Sequence, residues 1–241
     1  MSGARELWVV RLGVMPYGAA LELQRAVARA RISGAIPQDV LLLVEHEPVV
    51  TTGRTAKLQN LTASPALLAQ RGVTLFEVER GGDITYHGPG QLVGYPIVDL
   101  KRHKQDLHWY LRQVEESLIR AIARHGIAGK RSAGLTGVWT NGLADAKPHA
   151  PRKIASIGVH ARDWVTWHGF ALNVSTELSY FDLIVPCGIP GVDMTSMSRE
   201  LGAVVAMRNA EDAAAVAFGE VFSLVPVERQ LSALALQAGA A

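Results

Sequence analysis

The sequence predicts an α/β fold: a mixed sheet with helices packed on it. Three observations point there. Only three stretches sustain a long helical pattern, at 17–33, 106–126 and about 209–222. Many short apolar runs bounded by glycine or proline read as strands. Residues 153–174 read as a hairpin turning near Asp163, so part of the sheet is antiparallel. No repeat or long linker interrupts the 241 residues, and 1–241 is expected as a single domain with about 225–241 as a weakly structured tail.

Each element has a local reason. Residues 7–14, "LWVVRLGV", are apolar enough for a first strand. Residues 17–33 follow Pro16, carry Leu23, Val27 and Ala30 on one stripe, and stop at Gly34 and Pro37. "DVLLLVEHEPVVTTG", 39–53, is a strand interrupted at Pro48. Ser64 caps a short helix with Pro65 at its first position, and Gly72 closes it. Residues 74–100 read as strand, glycine-rich turn and strand. The clearest helix, 106–126, keeps Leu107, Leu111, Val114, Leu118 and Ile122 at helical spacing between an Asp106 cap and Gly126. "GLTGVW", 134–139, returns to strand, 141–151 is a turn-forming loop, and the final "LQAGAA" is expected to fray.

Composition excludes several classes. A net charge of +2 supplies no strong field for nucleic acid or a membrane surface. The mean hydropathy is +0.14, yet the longest aliphatic run, "VLLLV" at 40–44, is far short of the roughly 20 residues a span needs. The N-terminus has no secretory pattern. The lone cysteine, Cys187, cannot close an internal disulfide, which fits a reducing compartment. A cytoplasmic protein is expected.

Three segments carry more chemistry than structure requires. "RGGDITYHGPGQLVGYP", 80–96, has five glycines, with Arg80, Thr85, His87 and Gln91 gathered around the turn. Such a turn lets backbone approach a ligand closely; a hairpin with a glycine bulge is the plain structural alternative. No Gly-Lys-Ser or Gly-Lys-Thr follows, so it is not a phosphate loop. In "RKIASIGVHAR", 152–162, period-2 alternation puts Lys153 on the face of Ala155, Ile157, Val159 and Ala161, opposite Ile154, Ser156, Gly158, His160 and Arg162. A lysine drawn toward a core loses solvation, which favours its neutral form, unless it bends back to water. In "IVPCGIPG", 184–191, prolines and glycines fix the path around Cys187 and leave little bulk near the sulfur. That suits an approachable nucleophile, given a nearby cation or base such as Lys153 or His87; a small packed hydrophobe, the usual role of a free cysteine, is the plain structural alternative.

These blocks together, with "KIASIGVHARDWVTWHGFALNV" and "FDLIVPCGIPGVDMTSM" in order and "EHEPVVTTGR" more loosely, resemble the lipoyl(octanoyl) transferase family of lipoate biosynthesis. The likeness runs from about the first strand to the helix near 220. It implies the α/β catalytic domain shared with biotin and lipoate protein ligases. The implied activity is an acyltransferase, moving octanoyl from octanoyl-acyl carrier protein to a specific lysine of lipoyl domains through a cysteine-linked thioester. Implied acceptors are the lipoyl domains of 2-oxoacid dehydrogenase complexes and the glycine cleavage H protein. By motif, Cys187 is the acyl-accepting nucleophile and Lys153 the residue that promotes its ionisation. The acyl chain and its carbonyl are held by Arg80, Gly81, Gly82, Asp83, Ile84, Thr85, Tyr86 and His87, by Ser156, Ile157 and Gly158, and by Gly169, Phe170 and Ala171. Glu47 stands where the family more often has a second proline, away from the presumed chemistry.

Thioester exchange is near energy-neutral and thioester to amide runs downhill, so neither ATP nor another cofactor is expected. Each tetrahedral intermediate needs an oxyanion donor, typically worth about 3 kcal/mol; backbone N–H groups near Gly158 or the His87 side chain are the options. Small residues (Gly81, Gly82, Gly158, Ala171) would leave room for an eight-carbon chain, at about 0.8 kcal/mol per buried CH₂. Lys101, Arg102, His103 and Lys104 form a candidate docking patch for acidic partners, or simply a solvated loop. No metal is expected: the histidines lack ligand spacing, and His103 and His108 sit on a loop running into a helix. The competing readings are an ATP-dependent lipoate- or biotin-type ligase, a cysteine thioesterase that passes the acyl group to water, and a silent acyl-carrier-binding module.

Overall fold

The computed structural model describes residues 5–143 and 151–234. Strand β1 (Glu6–Val14) leads into α1 (Tyr17–Ser33), which Gly34 ends in a left-handed conformation (φ 82°). Strand β2 (Asp39–Glu45) breaks at Pro48, and β3 (Val49–Thr52) resumes in a different sheet. Ser64 caps α2 (Pro65–Gln70) through the Leu67 N–H at 3.2 Å. Three strands follow, β4 (Thr74–Glu77), β5 (Ile84–His87) and β6 (Gln91–Ile97). Asp106 caps α3 (Leu107–Ala123) by accepting from the Trp109 N–H at 2.9 Å. Then come β7 (Ile127–Ser132), β8 (Leu135–Leu143), β9 (Arg152–Arg162) and β10 (Val165–Asn173), with Asp163 and Trp164 both at positive φ in the β9–β10 turn. Helices α4 (Met197–Leu201) and α5 (Met207–Phe222) and strand β11 (Val225–Glu228) complete the order.

Eight strands form one mixed sheet in the order β11-β1-β2-β6-β10-β9-β8-β7, and β4-β3-β5 form a second, smaller one. β1 runs parallel to both β2 and β11, while the other pairs of the large sheet are antiparallel. Helices α3 and α5 cover one face, packing Val114, Leu118 and Phe218 in one cluster with Leu41 and Leu92 of the sheet. Helix α1 covers the other, burying Val27 and Ala28 against Val40, Leu42, Val93 and Ile97. Tyr17 and Leu21, at the start of α1, also pack with Val49 and Val78 and so join the small sheet to the large one.

The expected α/β architecture is what the chain forms, but several elements differ from the pattern. The buried stripe of α3 runs through Tyr110, Val114, Leu118 and Ile122 and includes Glu115, whereas Leu107 is exposed. In α1 the buried set is Tyr17, Ala20, Leu21, Gln24, Val27, Ala28 and Arg31, with Leu23 and Ala30 only partly covered. β7 is absent from the sequence reading because it is an edge strand with Lys130 and Arg131 in it. Residues 225–228, expected as tail, pair with β1; Pro226 is tolerated because β11 is the other edge. Of the expected loop, 144–150 lies outside the described residues, as does "LQAGAA", for which fraying is the expectation. No helix among the described residues is long and apolar enough to cross a membrane.

Pro96 stands inside β6, a central strand, where it cannot donate to the ladder. The neighbouring β10 accommodates it. Gly169 has no Cβ, which would overlap Pro96 Cδ, and His168 adopts φ 54°. Thr166 Oγ1 donates to the Pro96 carbonyl at 2.9 Å. Two residues earlier, a Cβ on Gly94 would overlap the buried Phe170 ring. Gly94→Ala is therefore expected to cost about 1–3 kcal/mol by overpacking, read as a lower denaturant midpoint at unchanged slope.

Candidate active site

Cys187 lies on a short 3₁₀ turn, Pro186–Gly188, at φ 56° and ψ 20°. A non-glycine residue held there costs roughly 1–3 kcal/mol, so the surroundings must enforce it. Gly188 follows at φ 66°; its missing Cβ would overlap Asp83 Oδ2. Asp83 accepts from Asn60 Nδ2 at 2.6 Å, from the Ile84 N–H at 2.8 Å and from the Lys57 N–H at 3.2 Å. The Asn60 carbonyl in turn accepts from the Val185 N–H at 2.7 Å. One carboxylate thereby ties the glycine-rich turn, residues 57–60 and the cysteine turn together.

Lys153 is 1% exposed, and its Nζ lies 3.2 Å from Cys187 Sγ and 4.9 Å from the Trp139 ring centroid. Ser156 Oγ is 3.6 Å from the same sulfur. Simple alternation puts Lys153 and Ser156 on opposite faces of β9. The structure corrects this: Val138 pairs with Ala155 but Trp139 with Lys153, so Ile154 is an extra residue in the ladder. The bulge resets the alternation and brings both side chains to the thiol. The Lys153 backbone is clamped by residues 193–195, donating to the Asp193 carbonyl at 2.8 Å and accepting from the Thr195 N–H at 2.9 Å.

A cavity of about 190 Å³ opens beside this pair. Arg80, Gly82, Asp83, Thr85 and His87 line it from the turn, Ser156, Ile157 and Gly158 from β9, and Gly169, Phe170 and Ala171 from β10. Gly81, Ile84 and Tyr86 are not on its wall. Ile84 and Tyr86 face the other side of β5, into a cluster with Val50, Phe181 and Leu183. Gly81 donates to the Val159 carbonyl at 2.8 Å. Of the small residues expected to leave room for a chain, Gly82, Gly158 and Ala171 line the cavity, and glycine at 158 and 169 has a further reason. A Cβ on Gly158 would meet the Gly81 carbonyl at 2.7 Å, and one on Gly169 would overlap the Gly94 carbonyl. Close backbone approach demands glycine at both positions.

The polar groups of the cavity are tightly oriented. Arg80, 7% exposed, donates to the Thr51 carbonyl and hydroxyl, and to the Gly81 and Asp83 carbonyls, all neutral acceptors. His87 is held by a chain of amides. Asn173 Nδ2 donates to the Thr195 carbonyl, so its Oδ1 accepts from Gln91 Nε2 at 2.9 Å; Gln91 Oε1 then accepts from His87 Nδ1 at 2.8 Å. The proton of a neutral His87 therefore sits on Nδ1, and burial lowers its pKa to about 3. Nε2 is left as an acceptor, which argues against His87 as an oxyanion donor and leaves the backbone option. His46 behaves alike: it donates to the Met15 carbonyl, accepts from the Tyr95 hydroxyl at 2.7 Å, and is brought by burial to about 4.

Sequence reasoning missed Tyr17, Val93, Tyr95, His168, Ile189 and residues 134–136 at the start of β8, which also line the cavity. Pro96 within a strand pattern was the available signal for His168, since it forces the irregularity that turns that residue. The basic run 101–104 follows the C-terminal end of β6, whereas Gln91, the partner of His87, stands at its start. Its members are engaged locally: Lys101 with Asp99, Arg102 with the Pro37 carbonyl, His103 with Asp39, and Lys104 with Asp106.

The chain matches the model of the lipoyl protein ligase A/B catalytic domain over residues 16–219. It is 49% identical over 214 residues to a protein named octanoyltransferase from Myxococcus xanthus, with 89% of this chain and 59% of that protein covered. It is 50% identical over 216 residues to one of the same name from Koribacter versatilis, covering 89% and 83%. Among solved structures it resembles a bi-partite lipoate protein ligase from Thermoplasma acidophilum, with a TM-score of 0.72, 17% identity, and 96% and 91% of the two chains covered; that likeness speaks to the fold alone.

Proposed function

The chain belongs to the lipoyl protein ligase A/B catalytic-domain family, and on that footing we propose that it is an octanoyltransferase of protein lipoylation working through a Cys187-linked acyl-enzyme. The observation that carries the reading is the 3.2 Å contact between a buried lysine ammonium and the lone thiol, both on the wall of one cavity. An ammonium there favours the thiolate, the form that attacks. In the first half-reaction the thiolate adds to the carbonyl of octanoyl-acyl carrier protein; the carbon–sulfur bond to the carrier breaks, the carrier sulfur leaves as a thiol with a proton from Lys153 Nζ, and octanoyl remains on Cys187. In the second, the amine of a lipoyl-domain lysine adds to the same carbonyl, an amide forms and Cys187 leaves as thiolate. The incoming amine must lose a proton, and Lys153, having given one up while Cys187 was acylated, is placed to take it.

Arg80, Thr85, His87, Ser156 to Gly158 and Gly169 to Ala171 frame the acyl site in this reading, while Gly81, Ile84 and Tyr86 support its wall. Intact-mass measurement after mixing with octanoyl-acyl carrier protein, without ATP, tests it. The expected result is one octanoyl adduct on Cys187 that hydroxylamine removes and that a lipoyl domain discharges onto its lysine. Adduct loss only as free octanoic acid would favour a thioesterase, and transfer only with ATP a ligase.

A further inference from the structure

Glu115 sits in the middle of α3 with no exposed surface. A carboxylate in such a place is costly unless fully partnered. It accepts from Arg112 at 2.6 Å on its own helix, from Arg131 at 3.2 Å on β7, and from the backbone N–H of Gly137 at 3.1 Å on β8. The last bond is the one without an obvious electrostatic motive, and it leads directly to the dyad.

Gly137 has φ 133°, closed to ordinary side chains. A Cβ there would meet the Ala155 carbonyl at 2.7 Å, Lys153 Cε at 2.9 Å and Lys153 Nζ at 3.4 Å. The bare backbone of Gly137 is thus one wall of the channel through which the lysine side chain runs. Two residues on, the Trp139 ring forms another wall, beside the ammonium. The bulge at Ile154 lies opposite Val138 and Trp139, which directly follow Gly137, so the path of β8 sets where Lys153 points. Gly134, Leu135 and Thr136 line the cavity, but neither Gly137 nor Glu115 does.

We infer that Glu115 and Gly137 form a positioning unit for Lys153: the buried carboxylate fixes the Gly137 peptide, and that peptide fixes the ammonium against Cys187. The inference rests on reading Lys153 and Cys187 as a working pair. It assigns Glu115 no contact with substrate or reacting atoms.

The test compares Glu115→Met, Glu115→Gln and Gly137→Ala in the full chain, each checked for a cooperative unfolding transition. The first readout is the rate at which iodoacetamide alkylates Cys187 at neutral pH, which follows thiolate content and needs no acyl donor. The second is kcat against KM for octanoyl transfer. Glu115→Met is expected to slow alkylation and lower kcat on the order of tenfold to a hundredfold with KM little changed, as for a displaced catalytic group. Glu115→Gln keeps an acceptor for the Gly137 N–H and should recover most of that loss. Gly137→Ala should match or exceed Glu115→Met. A folded Glu115→Met that alkylates and turns over like the parent overturns the inference, as does a Glu115→Gln as impaired as Glu115→Met. Lys153→Met separates the two levels. If it leaves alkylation unchanged, the pairing itself fails. If it slows alkylation while Glu115→Met does not, only the positioning unit fails.

Discussion

Cys187→Ser is expected to lower octanoyl transfer by at least about 10⁴-fold and to give no hydroxylamine-labile adduct, because removing the nucleophile of a covalent hydrolase costs on the order of 10⁶ in kcat. A hydroxyl at that site keeps its proton at neutral pH, so the 3.2 Å neighbour Lys153 has no anion to hold. Lys153→Arg distinguishes the two duties assigned to the lysine. Guanidinium remains charged and cannot give up a proton, so it can support the thiolate in part but cannot receive the proton of the incoming amine. The Lys153→Arg variant should therefore accumulate acyl-enzyme and discharge it slowly, whereas Lys153→Met should be slow in both half-reactions. Stopped-flow or quenched mass measurement of each half-reaction decides this. Normal discharge by Lys153→Arg would remove the proton-accepting role, and full transfer by Cys187→Ser would remove the covalent step.

Acid should destabilise the fold well above the carboxylate range. His46 and His87 are held at about 4 and about 3, against 6.5 in the unfolded chain, chiefly by burial, and His168 is also lowered by burial. Their surroundings add to this: Arg80 and the other histidines repel a proton on His87 and His168, while Glu79 partly opposes the shift on His168. Below 6.5 the unfolded chain binds protons that the folded one refuses, so stability falls as pH falls. Each such group contributes up to about 1.4 kcal/mol per pH unit. The loss for His46 and His87 together is on the order of 4 kcal/mol between the 6.5 midpoint and about pH 4.5. Stability is flat above that window as far as these groups are concerned. Denaturant melts followed by fluorescence of the five tryptophans measure it. Equal unfolding free energies at neutral pH and at about pH 5 would contradict the buried-neutral assignment.

How much of this was legible beforehand differs by element. The caps at Ser64 and Asp106, the stops at Gly34 and Gly126, the corner at Pro48 and the turn at Asp163 are written in the residues themselves. Each acts over three or four neighbours, so local stereochemistry decides it. The concentration of glycine around 80–96 and of proline and glycine around Cys187 likewise marked where side chains would be sparse. Edge strands β7 and β11 escaped because their apolar pattern is thin, and because the partner of β11, strand β1, stands at the far end of the sequence.

By itself the sequence determined the α/β class, the helix ends and the few segments rich enough in unusual residues to do chemistry, because these follow from short-range backbone preferences and apolar periodicity. Only the tertiary structure decided that Lys153 and Ser156 share a face, that His87 presents a bare nitrogen, and that Glu115 reaches the dyad through Gly137. These depend on one extra residue in a ladder, on a chain of oriented amides, and on contacts between positions 22 to 82 residues apart. Distance and desolvation between such positions are properties of the packed molecule, and no single stretch of chain encodes them.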